Sequence, residues 1–348
     1  MSNRFLYVAT VLIWGSTWIA IEFQLGTVAP EISVFYRYLL ASALLFSWCR
    51  YRGLSLRFSG RSHVNFMMLG ILLFSLNYIA AYHAQEHITS ALTALAFSMM
   101  VWMNIVNARI FFGTRAGWRV IAGSILGVTG IAVLFLPQIE HYSATDMTLY
   151  GAALAVLGAF LASLGNMVSQ AAQKDGLPII QSNAWGMMYG AMLTAAIAMW
   201  QGKAFVFDTS PEYVVSLLYL TLFGSIAAFG SYLKLLGRIG AHKAGYAMVM
   251  FPVVALVISV LFEGLELSKS IVAGVTLVLA GNVFILRGRM PADRRVHSQP
   301  DTQPHASIHE PQSRLFHNAG STKSSIAVRL ESSRMTSPKM LCRSSTDR

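Results

Sequence analysis

The chain of 348 residues is 55% hydrophobic and only 12% charged, and its formal net charge is +11. An average soluble domain carries roughly 25% charged residues, so a soluble fold of this composition would lack the polar groups to cover its surface, and lipid must do the covering. The basic residues fall in short loops and in the last part of the chain, with no basic face alternating with aromatics, which argues against a nucleic-acid partner. Cys49 and Cys342 belong to no CxxC or Cys/His cluster, so neither a disulfide framework nor a zinc site is supported.

A membrane helix needs about 20 mainly apolar residues. Runs of that kind lie near 5–23, 32–50, 64–83, 90–112, 118–136, 148–169, 180–200, 212–235, 241–262 and 271–287. They lack the regular alternation of a barrel strand, and lipid demands that backbone groups be satisfied within each segment, so ten helices are predicted. The first run is too long for a signal peptide, contains Trp14 and Trp18, and is expected to stay attached. Arg50, Arg52, Arg57 and Arg61 follow the second run. Arg109, Arg115 and Arg119 surround the end of the fourth, and Lys234, Arg238 and Lys243 that of the eighth. The opposite loops hold only Lys203 and Lys269. This asymmetry predicts that both termini are cytoplasmic. From residue 290 onward the chain is rich in Ser, Pro, Gln, His and Arg and has no sustained apolar run, the composition of a disordered basic tail.

The chain matches itself. Ile88–Phe135 aligns with Ile239–Leu286, so that Phe111 and Gly113 meet Phe262 and Gly264, and Gly130 meets Gly281; nearer the start, Pro30 meets Pro178. Residues 1–136 and 137–289 are therefore read as two five-helix repeats. An odd number of crossings makes the second repeat enter from the opposite side, an inverted-topology architecture common among secondary transporters. Gly151, Ala155, Gly158, Ala162 and Gly165 form one smooth helix face. Gly123 with Gly127, and Gly186 with Gly190, give small-xxx-small pairs suited to close packing.

These features resemble the drug/metabolite transporter superfamily, specifically its ten-helix EamA type. The Trp-Gly-Ser signature of the first helix is present as Trp14-Gly15-Ser16-Thr17. Pro30 and Arg37 match the proline before the second helix and the arginine inside it. Phe251-Pro252 and Phe262-Glu263-Gly264 match the ninth helix; in the fourth, Val101 stands at the proline position and Gly113-Thr114 where Gly-Glu is expected. The resemblance covers roughly 4–289. It implies an exporter of metabolites such as amino acids in the bacterial inner membrane, with helices 1, 3, 4, 6, 8 and 9 lining the cavity.

Polar groups inside membrane helices are costly and point to function. Glu22, at the end of helix 1, and Arg37, in helix 2, lie near the same face of the membrane. Either they form a fixed ion pair, or Arg37 attracts an anionic group such as a carboxylate, or gates the outer mouth. Trp14, Ser16, Thr17, Asn77, Tyr78, Tyr82, Asn104, Asn166, Tyr232 and Tyr246 are the further substrate-binding or gating candidates; Tyr82 is equally read as an interfacial aromatic. Glu22 and His83 are proton-coupling candidates. No HExxH, GxSxG, P-loop or metal-spaced carboxylate cluster is present, so neither an enzyme, a cofactor nor a metal is expected. The expected partners are a small-molecule substrate and the bilayer, with a homodimer as a further assembly. A lipid or polyprenyl-carrier translocator and a non-transporting interaction subunit remain the alternatives.

Overall fold

The structure, a computed structural model, describes residues 2–113, 117–134, 147–232, 234–235 and 246–286. The predicted tail and the side chain of Tyr246 lie outside the described residues. The described residues form ten helical rods: α1 (Asn3–Glu22), α2 (Pro30–Tyr51), α3 (Gly60–Gln85), α4 (Ser90–Phe112), α5 (Trp118–Leu134), α6 (Met147–Lys174), α7 (Ile179–Trp200), α8 (Pro211–Tyr232), α9 (Tyr246–Phe262) and α10 (Lys269–Leu286). Six of them, α1–α4, α6 and α8, are long and apolar enough to cross a membrane by length and composition. Helix α7 is as long, at 22 residues, but its first turns carry Gln181, Ser182 and Asn183, all buried.

Local chemistry sets the helix ends. Ser2 and Ser59 accept hydrogen bonds from the amides of Phe5 (3.2 Å) and Ser62 (3.3 Å), satisfying first-turn donors of α1 and α3. Pro30 and Pro211 occupy the first helical positions of α2 and α8, where a missing N–H costs nothing. Helix α4 breaks at Ser98–Met99, between Ser90–Phe97 and Met100–Phe112. The break forms without a proline at Val101; the Ser98 hydroxyl instead donates to Leu95 O at 2.6 Å, competing with the backbone ladder.

Helices α3 and α8 each widen into a π turn, at Leu72–Leu76 and Leu220–Ala227. Leu220 stands 148 positions after Leu72, the same offset that separates Pro30 from Pro178. Each turn sends a serine to the second helix of the other half. Ser75 shares a 2.8 Å hydrogen bond with Thr194 of α7, and Ser225 accepts a 3.0 Å hydrogen bond from Arg37 of α2.

The packing follows the internal repeat. α1 lies on α9 as α6 lies on α4; α3 lies on α7 as α8 lies on α2; α3 lies on α6 as α8 lies on α1; α2 pairs with α7, α4 with α9 and α5 with α10. Exchanging the two halves reproduces every one of these contacts, the arrangement of two inverted five-helix repeats. Small residues make the closest approaches. On the predicted face of α6, a Cβ at Gly151, Gly158 or Gly165 would meet Ala84 O, Asn77 O or the Leu73 backbone at 3.0–3.2 Å. Gly186 and Gly190 take the same part against Gly70 of α3, as do Gly123 and Gly127 against Gly281 of α10.

Candidate functional site

Helices α1, α3, α4, α6, α8 and α9, with Asn183 of α7, enclose a cavity of about 80 Å³. Trp14 and Trp18 stand one turn apart on α1 and share its inner face. Trp14 packs on Phe229 and Tyr232 of α8, with ring centroids 5.4 and 5.0 Å away; Trp18 packs on Phe97 of α4 (4.8 Å) and Phe251 of α9 (6.1 Å). Among this aromatic wall stand a few polar groups: Thr17, Asn77, Asn166, Ser169 and Asn183. The buried Oδ1 of Asn77 has no hydrogen-bond partner among the described residues. Asn166 is oriented by donating through Nδ2 to Asn104 Oδ1 at 3.3 Å. Apolar and aromatic walls with a few convergent polar groups suit an amphipathic small molecule.

Directly behind this wall lies Arg37, which is 1% exposed. Its guanidinium carbon is 4.6 Å from the centroid of the Tyr78 ring, a cavity-lining residue, and 5.3 Å from that of Tyr38. Nε donates to Ser225 Oγ and the Tyr82 hydroxyl lies against the guanidinium, whereas Nη1 is buried without a partner among the described residues. Ser225 is itself fixed by donating to Leu220 O five residues earlier, across the π turn of α8. Its neighbour Gly224 leaves the room: a Cβ there would lie 2.8 Å from Thr17 Cγ2 and 3.1 Å from Arg37 Nη2.

Of the sequence-predicted residues, Trp14, Thr17, Asn77, Tyr78, Asn166 and Tyr232 line the cavity. Four others do not. Ser16 points away and bonds the Tyr219 hydroxyl of α8 at 2.6 Å, because it lies about 200° around the axis from Trp18. Asn104 stands behind Asn166. Tyr82 is a fully buried core residue rather than an interfacial one, its hydroxyl donating to Gln24 Oε1 at 2.8 Å. Glu22 opens onto a separate cleft that also contains Gln85, His87 and Glu263. The Glu22–Arg37 ion pair, one of the two alternatives, does not form: similar depth in the membrane does not bring two helix faces together, and Glu22 turns towards the end of α9 while Arg37 turns towards α8. Among the described residues the ion pairs all involve His83.

His83 joins two carboxylates. Its Nε2 is 2.9 Å from Glu31 Oε1 on α2, and its Nδ1 is 2.7 Å from Glu86 Oε2. Both contacts are satisfied at once only by an imidazole carrying both protons. Glu263 crosses between the repeats, accepting from the amide of Ser90 at 3.2 Å and from the Ser259 hydroxyl, and so caps the start of α4. Among the described residues no cluster of three or more His, Cys, Asp or Glu is placed to hold a metal ion.

Sequence reasoning missed Trp18, Phe97, Met100, Ser169, Asn183, Phe229 and Phe251 in the wall, and Glu31 beside His83. Spacing could have found Trp18, four residues from Trp14. Glu31 reads in sequence as an ordinary first-turn acid next to Pro30.

Comparison with known proteins gives this fold a family. The model of the EamA-like transporter family matches residues 3–136 and again 149–287. The uncharacterised transporter YoaV of Bacillus subtilis is 24% identical over 284 residues, covering 79% of this chain and 93% of the relative. Protein PagO of Salmonella typhimurium is 20% identical over 297 residues, covering 85% and 96%. The uncharacterised inner membrane transporter YedA of Escherichia coli K12 is 26% identical over 269 residues, covering 75% and 83%. One crystal structure superimposes with a TM-score of 0.60 at 17% identity, covering 81% of this chain and 96% of its own, a likeness of fold. The chain is a multi-pass membrane protein and belongs to the EamA-like transporter family.

Proposed function

We propose that this transporter exports small metabolites, such as amino acids or related compounds, across the inner membrane of a bacterial cell, with both termini in the cytoplasm. The observation that supports this reading is the cavity between the repeats. Its wall of Trp14, Trp18, Phe97, Phe229, Tyr232 and Phe251 is apolar, and its polar groups are amides and hydroxyls. Such a wall suits a small molecule with an apolar body and one or two hydrogen-bonding groups better than an inorganic ion. The positive-inside loops support the orientation, and YedA carries the words inner membrane in its name.

The test is to overproduce the protein in a bacterial host, profile the metabolites that accumulate in the medium, and score growth against toxic metabolite analogues. Export of a defined set, lost in Asn77→Leu or Asn166→Leu protein of normal membrane abundance, supports the proposal. An unchanged medium and unchanged tolerance across a broad panel would refute it. Altered lipid asymmetry without any metabolite export would replace it with lipid translocation.

A further inference from the structure

We infer that Arg37 is the anion anchor of the transport site and that the substrate carries a single carboxylate on an apolar or aromatic body. The inference rests on the transporter reading and goes beyond it by naming the charge that the site recognises.

A guanidinium keeps its proton inside a protein, so Arg37 remains a cation wherever it is buried. It is 1% exposed, and among the described residues no carboxylate lies within ion-pair distance of it. Ser225 takes one N–H and the faces of Tyr38 and Tyr78 supply cation–π attraction, but among the described residues Nη1 has no acceptor. The Tyr82 hydroxyl, which donates to Gln24, turns its oxygen to the same guanidinium. A buried charge held by two neutral hydroxyls and two rings, with no anion, is poorly compensated. Ionisable groups inside membrane helices mark substrate paths.

The placement shows where the missing anion enters. Tyr78 is the partition: one face of its ring covers the guanidinium and its side chain lines the cavity. Rotation of that one side chain is the step by which the guanidinium would meet the cavity. Helix α8 has already cleared the opposite side, through Gly224 and the turned-out Ser225. Arg37 thereby bridges the two repeats, on α2 and held by α8, so an anion bound to it contacts the interface between them.

Charge balance selects the anion. Among the described residues the cavity lining contains no Lys, Arg or His, and the Arg37 guanidinium is the cation that stands behind it. One positive charge matches a carboxylate, whose two oxygens fit the arginine fork; a phosphate monoester brings nearly twice the charge and calls for a second cation. The unpartnered Oδ1 of Asn77, on the helix that carries Tyr78, is an acceptor for an ammonium or hydroxyl on the same molecule.

The experiment uses the full chain purified in detergent and reads thermal stabilisation with matched probes: 3-phenylpropanoate against 3-phenylpropanamide, indole-3-acetate against indole-3-acetamide, phenylalanine against phenylalaninamide, and phenyl phosphate. At least one carboxylate should stabilise the protein saturably while its amide does not. That response should vanish in Arg37→Gln and need at least tenfold more ligand in Arg37→Lys, which keeps the charge but loses the fork. The wild-type comparison of acid with amide needs no variant, so poor folding of Arg37→Gln leaves the test intact. Equal effects of acid and amide, a stronger effect of phenyl phosphate, an unaltered response in Arg37→Gln, or no response to any carboxylate would each overturn the inference. The two readings separate in the export profile. Export of compounds lacking a carboxylate defeats the anion anchor and leaves transport standing, whereas carboxylate binding without export defeats transport alone.

Discussion

A methyl group at Gly70 would stand 2.6 Å from Gly186 O and 2.8 Å from Gly190 N, both backbone atoms of α7. Ordinary contact begins near 3.4 Å, so in Gly70→Ala the two helix backbones must part by roughly 0.8 Å. No side chain can absorb the shift by changing rotamer. Overpacking of this kind costs about 1–3 kcal/mol, while alanine in place of glycine returns about 1 kcal/mol of helix propensity. Gly230 supplies the control, since it lies in α8 with no described residue within 4 Å of its missing Cβ. Gly230→Ala gains the propensity without the clash, and the difference between the two variants isolates the packing cost at about 1–3 kcal/mol. Both proteins are heated in detergent and the monodisperse fraction is followed by size-exclusion chromatography. Gly70→Ala should melt several degrees below Gly230→Ala, and Gly230→Ala at or above wild type. Equal melting of the two variants would refute the claim that α3 and α7 are held at backbone contact.

Removing His83 leaves the carboxylate of Glu31, 2% exposed, without its hydrogen-bonded cation and with the more distant Lys203 in the same cleft, whereas Glu86 is 36% exposed. His83→Ala should therefore lose stability approaching the roughly 3–5 kcal/mol of a broken buried pair, Glu86→Ala only about 0–1 kcal/mol, and Glu31→Gln should restore much of the loss in His83→Ala; equal loss from both single variants in thermal melts would contradict this. Glu263→Ala uncaps Ser90 N–H at the start of α4 and should cost about 0.5–2 kcal/mol in the same melts, with Glu263→Gln recovering most of it through its amide oxygen; no recovery would mean that the negative charge, and not the cap, is what matters. Reporter fusions after Arg61 and Arg289 should read cytoplasm and those near Glu86 and Glu140 the far side, and a reversed pattern would overturn the proposed orientation. Truncation of 291–348 should leave membrane abundance and export unchanged; export lost at normal abundance would make the tail a working part.

The ten spans were legible because the hydropathy of a membrane helix is a property of consecutive residues. The predicted run 90–112 coincides with α4, and the others agree within a few residues, except that α6 runs on to Lys174 and the described part of α9 begins at Tyr246. The glycine face of α6 was legible for the same reason, since spacing of three and four is local. Azimuth across helices was not. Glu22 and Arg37 were matched by depth, but which neighbour each helix turns towards is decided by packing that involves the whole bundle. The break in α4 was hidden because the sequence lacks its proline and a serine does the work. Tyr82 misled for a related reason, because an aromatic near a helix end reads as interfacial until another chain segment, here the one bearing Gln24, covers it.

The π turns of α3 and α8 bear on how this chain is compared with others. A π turn closes on the fifth residue instead of the fourth, so each carries one residue of surplus relative to an unbroken helix. At 3.6 residues per turn that surplus is a phase shift of about 100° for everything downstream. Asn77, Tyr78 and Tyr82 follow the first turn, and Phe229 and Tyr232 the second. Align this chain without a gap to a relative lacking the surplus, and each of these residues is set against a neighbour that faces a different helix. At 20–26% identity nothing in the alignment score would signal the error. The wall of the cavity is therefore to be mapped between relatives by counting back from the far end of α3 and of α8, where the phase is already set.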